Sequence, residues 1–296
     1  MRNNQIYCFV ILHYKTIEDT DKCIQSILQL NESLRATRIV VLDNGSNNGS
    51  GEKLQKKYAA YDNIKIVISD YNLGFSNGNN YAYSIAKTEY DPDFMIVCNS
   101  DIIFAQRSTL ELISEIHEET RFNVLGPDIY IPKVKFHANP LAQRAMTYDE
   151  IEHEIEINKG RLKNIEATCR HEHIQEKKIQ LINWTRTILR QEREIRPAME
   201  NVVLQGACYI FDSEYIKKQN RIFYPMESFY FEEYFVHADC VRNNYKTVYD
   251  PRIQVIHNES SATKKEQSDE LMRKRFKLTN LIESMTLYCE VFRNEN

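Results

Sequence analysis

Short apolar runs alternate with amphipathic stretches through the first hundred residues of the chain. Runs rich in β-branched residues predict strands, and apolar residues at helical spacing predict helices. The predicted strands are Ile6–Leu12, Arg38–Leu42, Ile64–Ser69 and Phe94–Cys98, and the predicted helices between them are Thr16–Leu30, Gly51–Tyr61 and Asn77–Lys87. Strands that alternate with helices predict a parallel sheet with right-handed crossover connections.

The second half of the chain has a different pattern, which changes after Gly126-Pro127. The stretch from Tyr148 to Arg196 is rich in Glu, Lys, Arg, Gln and Ile and predicts helices. Strand-like runs return at Val202–Phe211 and Arg252–Ile256, and an amphipathic helix is predicted over 267–292. We therefore expect an α/β fold with a helical insertion and a C-terminal helix.

Composition narrows the class of protein. The 296 residues are 42% hydrophobic and 27% charged, which indicates a globular chain, and a net charge of -4 argues against a nucleic-acid partner. Seven cysteines without CxxC spacing favour a reducing compartment. The opening apolar run is too short for a signal peptide, and no run reaches the ~20 residues of a membrane span. We expect a cytoplasmic protein, with contact at the inner face of the cell membrane left open.

Carboxylates follow two of the predicted strands. Asp43 opens the sequence Asp43-Asn44-Gly45-Ser46 after the second strand, and Asn99-Ser100-Asp101 follows the fourth. The carboxyl ends of parallel strands meet at one edge, where open α/β sheets bind ligands. A divalent cation at Asp101 would hold a diphosphate. Each segment also has a simpler interpretation: Asp43-Asn44-Gly45-Ser46 as a turn that caps the next helix, and Asn99-Ser100-Asp101 as an Asx turn.

A loop rich in glycine and asparagine precedes the third predicted helix. Asn72 to Asn80 contains two glycines and four asparagines, including Gly74 and Asn79. Backbone and amide donors at a helix start favour phosphate, so we expect this loop to face a ligand. It is neither the dinucleotide fingerprint nor a P-loop, which argues against a dehydrogenase and a nucleotide hydrolase.

Three later features carry candidate chemistry. Glu232-Glu233 lies among aromatic residues, where desolvation would raise the pKa of one carboxyl and suit it to general base catalysis; the alternative is a solvated helix start. His257 ends an apolar strand, and such a histidine is more often a packed residue than a metal ligand, unless Asp101 binds a metal.

The basic segment Lys177–Arg196 fits either an anionic membrane surface or an insertion helix packed on the main domain.

In this order the motifs resemble those of the family 2 glycosyltransferases, particularly the rhamnosyltransferase-like and capsule-type members. The matching segments are Val10–Lys15 with Glu18–Thr20, Val41–Ser46, Asn72–Asn80, Asn99–Asp101, Gln205–Ala207, Phe231–Glu233 and Tyr245–His257. Asn99 stands where the family usually has the first carboxylate of its metal motif. Glu233 stands where aspartate is commoner.

The resemblance implies a GT-A fold, which is a Rossmann-like mixed sheet flanked by helices. It implies a nucleotide-sugar-binding half at 1–135, a helical insertion at 136–200, an acceptor-binding half at 201–265 and a C-terminal helix at 266–296. The expected activity is inverting transfer of a hexose or rhamnose-like sugar from a UDP- or dTDP-sugar to a glycan or polyprenyl-linked saccharide, in the synthesis of a surface polysaccharide such as a capsule.

The resemblance also implies roles for individual residues. The expected donor-binding residues are Asp43, Tyr14, Asn44, Gly74, Asn79 and Ser100. Asp101, with His257 and Asn99, would hold Mg²⁺ or Mn²⁺, and Glu233, beside Glu232, would be the base. Two alternatives remain: a sugar-phosphate nucleotidyltransferase, and a GT-A fold that binds sugars without catalysis. The sequence does not define the oligomeric state.

Overall fold

The computed structural model describes residues 5–30, 37–170, 195–258 and 270–293. The strands are β1 (Tyr7–His13), β2 (Thr37–Asp43), β3 (Ile64–Ile68), β4 (Phe94–Asn99), β5 (Ile102–Ile103), β6 (Val124–Ile131), β7 (Phe136–His137), β8 (Met199–Glu200), β9 (Cys208–Asp212) and β10 (Thr247–His257). The helices are α1 (Ile17–Leu28), α2 (Ser50–Tyr58), α3 (Phe75–Tyr90), α4 (Thr109–Thr120), α5 (Tyr148–Lys163), α6 (Ser213–Lys218), α7 (Glu232–Arg242) and α8 (Glu270–Arg293).

The strands form one mixed sheet in the order β3-β2-β1-β4-β9-β6-β10-β5, with β7 paired to β6 and β8 to β10. The first four strands are parallel, as the alternating pattern predicts. β9 runs antiparallel to both β4 and β6, and β10 runs parallel to β6. The carboxyl ends of β1, β2, β4, β6 and β10 therefore lie at the same edge, together with the amino end of β9.

Helices cover both faces of this sheet, which explains why its central strands are apolar throughout instead of alternating. On one face α1, α2 and α4 bury residues such as Ile24, Leu54 and Ile113 against the strands. On the other face α3, α6 and α7 bury residues such as Tyr83 and Val236. We call these the first face and the second face of the sheet.

A third apolar cluster joins the C-terminal helix to the rest of the protein. It contains residues of α5, α7 and α8, among them Ile151, Phe235 and Tyr288. The rings of Phe235 and Tyr288 meet edge to face with centroids 5.2 Å apart. α8 therefore stabilises α7 from outside the sheet.

Gly126-Pro127 lies inside β6, so the expected change of pattern there was wrong as a structural boundary. A Cβ atom on Gly126 would lie 2.5 Å from Nδ2 of Asn139, which explains the glycine by close approach. Pro127 pairs with Asp250 at the residue where the register of β10 shifts. The missing N–H of the proline therefore falls where the ladder is already interrupted.

The later elements agree with the sequence in part. α8 corresponds to the helix predicted over 267–292. The strand expected at Val202–Phe211 is shorter, because β9 begins at Cys208. α5 begins the predicted helical region and starts with a capping box between Thr147 and Glu150. Most of the basic segment 177–196 lies outside the described residues.

No helix in the described parts of the chain is long and apolar enough to cross a membrane.

The Asn80 side chain joins α3 to the segment that follows α6, and its removal tests how much this connection stabilises the fold. Its Nδ2 donates to the Phe223 carbonyl oxygen at 2.8 Å, and its Oδ1 accepts the N–H groups of Ile222 and Phe223 at 3.0 Å each. Asn80→Ala leaves three backbone groups without this partner, so we expect the free energy of unfolding to fall by about 1–3 kcal/mol. Urea denaturation measures the change.

The control is Ser84→Ala on the same helix, because the Ser84 hydroxyl is exposed and donates to the Tyr81 carbonyl oxygen in its own turn. Equal loss of stability in the two variants would contradict the role given to Asn80.

Candidate active site

The carboxyl edge of the sheet brings together residues from distant parts of the chain. Asp43 ends β2, Asn99-Ser100-Asp101 lies between β4 and β5, and His257 ends β10. Gly206 lies just before β9 at this edge, and its N–H reaches Glu233. The fold therefore places the candidate donor residues and the candidate base along one edge.

Asp101 and His257 form a direct pair. Oδ1 of Asp101 lies 3.1 Å from Nε2 of His257, and each side chain is only 12% exposed. Strand pairing sets this distance, because β5 pairs antiparallel to β10 with Ile102 opposite His257. The Asp101 carbonyl oxygen also accepts the N–H of Asn258 at 3.1 Å. The resemblance implied this pair, and the strand register explains how it forms.

This pair has donor atoms suited to a divalent cation bound together with a diphosphate. Mg²⁺ commonly takes one or two carboxylates and completes its shell with substrate oxygens and water, and imidazole with carboxylate also suits Mn²⁺. The buried Nδ1 of His257 has no hydrogen-bond partner in the described residues. Nor do these residues contain a group of three or more His, Cys, Asp or Glu that could hold a metal. The residues therefore fit a cation that also binds substrate oxygens.

Asp43 is buried and stabilises its own turn. Its Oδ1 accepts the Ser46 N–H at 3.0 Å, and only 2% of the residue is exposed. A Cβ atom on Gly51 would lie 2.2 Å from Oδ2, so α2 can begin close to this carboxylate only with glycine there. Asp43 therefore closes a turn, but it does not cap α2, which starts after Gly49 without a side-chain cap. Donor binding by Asp43 stays a prediction.

His13 links two helices beneath the same edge. Its Nδ1 lies 2.6 Å from Oγ1 of Thr20 in α1, and its Nε2 lies 2.7 Å from Oγ of Ser50 in α2. Burial lowers the pKa of His13 more than the charge of Asp43 raises it, so the imidazole is neutral at pH 7. This neutral side chain fixes the amino-terminal ends of α1 and α2 beside Asp43.

The asparagine-rich loop uses its amides within the protein. Nδ2 of Asn44 donates to Asn72 Oδ1 and to the Gly74 carbonyl oxygen, both at 3.0 Å, and Asn44 Oδ1 accepts the Leu73 N–H. Asn79 Nδ2 donates to the Phe75 carbonyl oxygen. The Asn44 amide therefore fixes the loop, and the Asn79 amide bonds within its own helix. Donor binding by Asn44 and Asn79 stays a prediction.

The other residues expected to bind the nucleotide-sugar donor also lie at this edge of the sheet. Gly74 has a φ of 79° and precedes the first turn of α3, where amide groups lack helical partners. Tyr14 follows β1 and is half-buried, with the Lys15 ammonium 4.7 Å from its ring centroid. Ser100 is half-buried in the turn before Asp101. Donor binding by Tyr14, Gly74 and Ser100 stays a prediction.

Glu232 and Glu233 are the first two residues of α7. Oε1 of Glu232 accepts the Tyr230 N–H at 2.9 Å, and Oε1 of Glu233 accepts the Gly206 N–H at 3.2 Å. A Cβ atom on Gly206 would lie 2.9 Å from Oε1 of Glu233, so glycine lets the carboxylate approach the backbone. Glu232 is buried, whereas Glu233 is half-buried. Glu233 is therefore the more exposed residue of the pair.

Backbone strain accompanies this arrangement. Tyr230 and Phe231 have φ values of 74° and 72°, in the left-handed region that bulky residues rarely adopt. Each such residue costs on the order of 1–3 kcal/mol. The Phe231 ring stacks on Tyr234 at 4.2 Å and meets Tyr288 at 5.5 Å, so aromatic packing offsets the strain.

The two carboxyls are unequal in acidity. Burial raises the pKa of Glu232 to about 8, with a further contribution from the charge of Glu233. Burial also raises the pKa of Glu233, while the N–H donors of Glu233 itself and of Gly206 lower it. The two groups titrate as a pair. Burial opposes ionisation of both carboxyls, and a charge on either one further opposes ionisation of the other, so the pair retains one proton. With its pKa raised to about 8, Glu232 keeps that proton near pH 7, and we assign the first ionisation to Glu233.

The sequence analysis missed two sets of polar residues near this edge. One is His13 with its hydroxyl partners. The other is the buried Asp128, which holds His137 at 2.8 Å. An aspartate two residues after Gly126 within an apolar run was the available signal, but it was hidden because the segment was not recognised as a strand.

The fold is that of the GT-A glycosyltransferases, and the comparison with protein families agrees. Residues 8–178 match the profile described as glycosyl transferase family 2. This range is more than half of the chain, which therefore belongs to that family.

Individual relatives are more distant. The chain is 27% identical over 120 residues to the low-salt glycan biosynthesis hexosyltransferase Agl10 of Haloferax volcanii, which is 40% of this chain and 35% of that protein. The chain thus spans about a third of this curated relative. Crystal structures of residues 1–349 of S. aureus TarS share the fold at 13% identity. The complex with UDP-GlcNAc has a TM-score of 0.57 and covers 96% of this chain and 67% of that chain. A second crystal structure of the same TarS residues has a TM-score of 0.53 and covers 66% of that chain.

Glu232→Gln tests the unequal pair through stability. The pKa of Glu232 is about 8 in the folded protein against an ordinary value of 4.5, so the folded state binds the extra proton and loses stability as the pH rises through this interval. We expect the free energy of unfolding of the wild type to fall by on the order of 2–4 kcal/mol more than that of the variant. Urea denaturation at pH 5 and pH 8 measures the difference.

Glu214→Gln is the control, because this exposed carboxylate has a pKa lowered by Lys218 and titrates below the interval. A pH dependence in Glu232→Gln as steep as that of the wild type would contradict the burial of a protonated Glu232.

Proposed function

We propose that the protein is an inverting glycosyltransferase that moves a hexose or rhamnose-like sugar from a UDP- or dTDP-sugar to a glycan or lipid-linked oligosaccharide. The observation that carries the proposal is the carboxylate of Glu233, held by the Gly206 N–H at the edge where Asp101 meets His257. A base and a diphosphate site at one sheet edge are what sugar transfer to a hydroxyl requires.

Glu233 acts on the acceptor. A sugar hydroxyl is a weak nucleophile, so a positioned carboxylate has to take its proton as the oxygen attacks. The acceptor oxygen forms a bond to the anomeric carbon, and the electron pair of the bond from that carbon to the phosphate oxygen leaves with the nucleoside diphosphate. One displacement inverts the anomeric configuration. A raised pKa makes Glu233 a stronger base than an ordinary carboxylate while it still ionises before Glu232.

Asp101 and His257 act on the donor. They would hold Mg²⁺ or Mn²⁺ against the diphosphate, and Asn99 would contribute through water. Such a cation stabilises the negative charge that develops on the leaving diphosphate. The first turn of α3, which follows Gly74, would donate backbone N–H groups to the same diphosphate.

The relatives support a nucleotide-sugar donor and a glycan acceptor. Agl10 is named as a hexosyltransferase of glycan biosynthesis, and TarS has been crystallised with UDP-GlcNAc. Membership of the glycosyl transferase family disfavours the nucleotidyltransferase alternative. A role in a capsule or other surface polysaccharide and a location at the inner face of the membrane stay predictions.

Glu233→Gln tests the base. Glutamine keeps an oxygen for the Gly206 N–H but cannot take a proton, so we expect kcat to fall by about 10²–10⁴-fold with UDP affinity unchanged. Release of UDP or dTDP from a panel of nucleotide sugars measures turnover, and calorimetry measures affinity.

Glu232→Gln is the matched variant, because glutamine resembles the protonated form of this residue. It is expected to lose much less activity than Glu233→Gln. Near-normal transfer by Glu233→Gln would rule out Glu233 as the base, and a wild-type protein that binds UDP but turns over no donor would favour the non-catalytic alternative.

Asp101→Asn tests the cation site by binding instead of activity. We expect Mn²⁺ to tighten UDP binding to the wild type by at least about tenfold, and Asp101→Asn to lose this increment. Calorimetry with Mn²⁺ and with EDTA gives the two affinities. Asp91→Asn, at the exposed end of α3, should retain the increment. Equal UDP affinity of the wild type in Mn²⁺ and EDTA would contradict the cation site.

A further inference from the structure

We propose that Asp128 and His137 form an acceptor-binding site in which Nε2 of His137 accepts a hydrogen bond from a hydroxyl of the acceptor sugar. This inference rests on the proposed function. The pair, Asp128 of β6 and His137 of β7, would bind the acceptor sugar beside the base, and it shares no residue with the base or the diphosphate site.

The geometry of the pair leaves one imidazole nitrogen for a ligand. Nδ1 of His137 lies 2.9 Å from Oδ1 and 2.8 Å from Oδ2 of Asp128. The Asp128 side chain is 1% exposed, whereas the His137 side chain is 16% exposed. A carboxylate on Nδ1 places the proton there, so Nε2 carries the lone pair. The described residues give Nε2 no hydrogen-bond donor.

The position of the pair is the second observation. His137 lies opposite Tyr130 in the β6–β7 hairpin, so both side chains share a face with Asp128. This is the second face, because Tyr249 of the apolar cluster on that face donates to Asp128 at 3.5 Å. α7, which begins with Glu232 and Glu233, packs on the same face. His137 and the base are therefore on one side of the sheet.

A short path of hydrogen bonds links the pair to the base. Asn139, two residues after His137, is fully buried and accepts the Gln205 N–H at 3.0 Å. The next residue, Gly206, donates its N–H to Glu233. The hairpin that carries His137 is thus tied to the segment that holds the catalytic carboxylate. An acceptor whose attacking hydroxyl lies at Glu233 would extend along this segment.

The buried carboxylate of Asp128 bonds to His137 and, at 3.5 Å, to Tyr249. A carboxylate without solvent is costly unless it is paired, and burial raises the pKa of Asp128 despite the opposing effect of His137. The comparable pair at the opposite edge, Asp212 and His117, differs. Asp212 also caps α6 by accepting the Tyr215 N–H at 2.9 Å, so its burial has a structural explanation. Asp128 orients His137.

The test uses the imidazole itself as the reporter. The protein is prepared with [¹³Cε1]histidine, and the His137 resonance is assigned by its loss in His137→Asn. Methyl α-D-glucopyranoside, methyl β-D-galactopyranoside and methyl α-D-mannopyranoside are titrated with and without UDP. We expect at least one glycoside to shift the His137 resonance, and His137→Asn to weaken its binding by about tenfold.

His137→Asn suits this purpose because the asparagine amide can replace the Nδ1 donor to Asp128 while Nε2 is removed. His117→Gln is the matched control: its amide can replace the Nε2 donor to Asp212, and glycoside affinity should not change. A His137 resonance that none of the three glycosides shifts, or equal affinity in His137→Asn, overturns the inference. UDP affinity is measured in parallel, so failure of the donor site is distinguishable from failure of this one.

Discussion

The pairing of β10 with β6 on one side and β5 on the other is the constraint on which this site depends. β10 is the last strand, and it runs parallel to β6 and antiparallel to β5. This register brings His257 to Asp101 across more than half of the chain. The same strand supplies Tyr249 beneath Asp128, so the donor and acceptor sides of the edge both rely on it. A slip of one residue would turn each of these side chains to the other face.

The start of α7 shows how the fold sets the acidity of the proposed base, Glu233. Two adjacent carboxylates are removed from solvent at a helix start, where the helix dipole and N–H donors favour negative charge and burial opposes it. The result is unequal ionisation, with Glu233 charged and Glu232 protonated. Strained backbone at Tyr230 and Phe231 holds the turn, and α8 packs against its aromatic residues. The strained backbone lowers the stability of this turn, and burial there raises the pKa of Glu233.

The sequence predicted most of the first half of the fold, because continuous apolar strands and helical spacing there agree with the final structure. Asp43 and Asp101 were correctly expected at one edge, since parallel strands share a direction, whereas His257 was linked to Asp101 only through the family resemblance. β6 was missed because Gly126-Pro127 are typical of turns, and only the tertiary contact with Asn139 and the irregularity of β10 explain them. The internal hydrogen bonds of Asn44 and Asn79 were not predicted for a related reason: a sequence shows donors but not the carbonyl groups that folding brings to them.

The central claim is that one displacement at the anomeric carbon, assisted by Glu233, transfers the sugar. The stereochemistry of the product tests it most directly. With a nucleotide α-sugar that the protein turns over, proton NMR of the first-formed product reports the anomeric configuration through its coupling constant. The account predicts the β anomer at the earliest time points, with an acceptor sugar or with water. An α product formed before any mutarotation would contradict it, because retention requires two displacements.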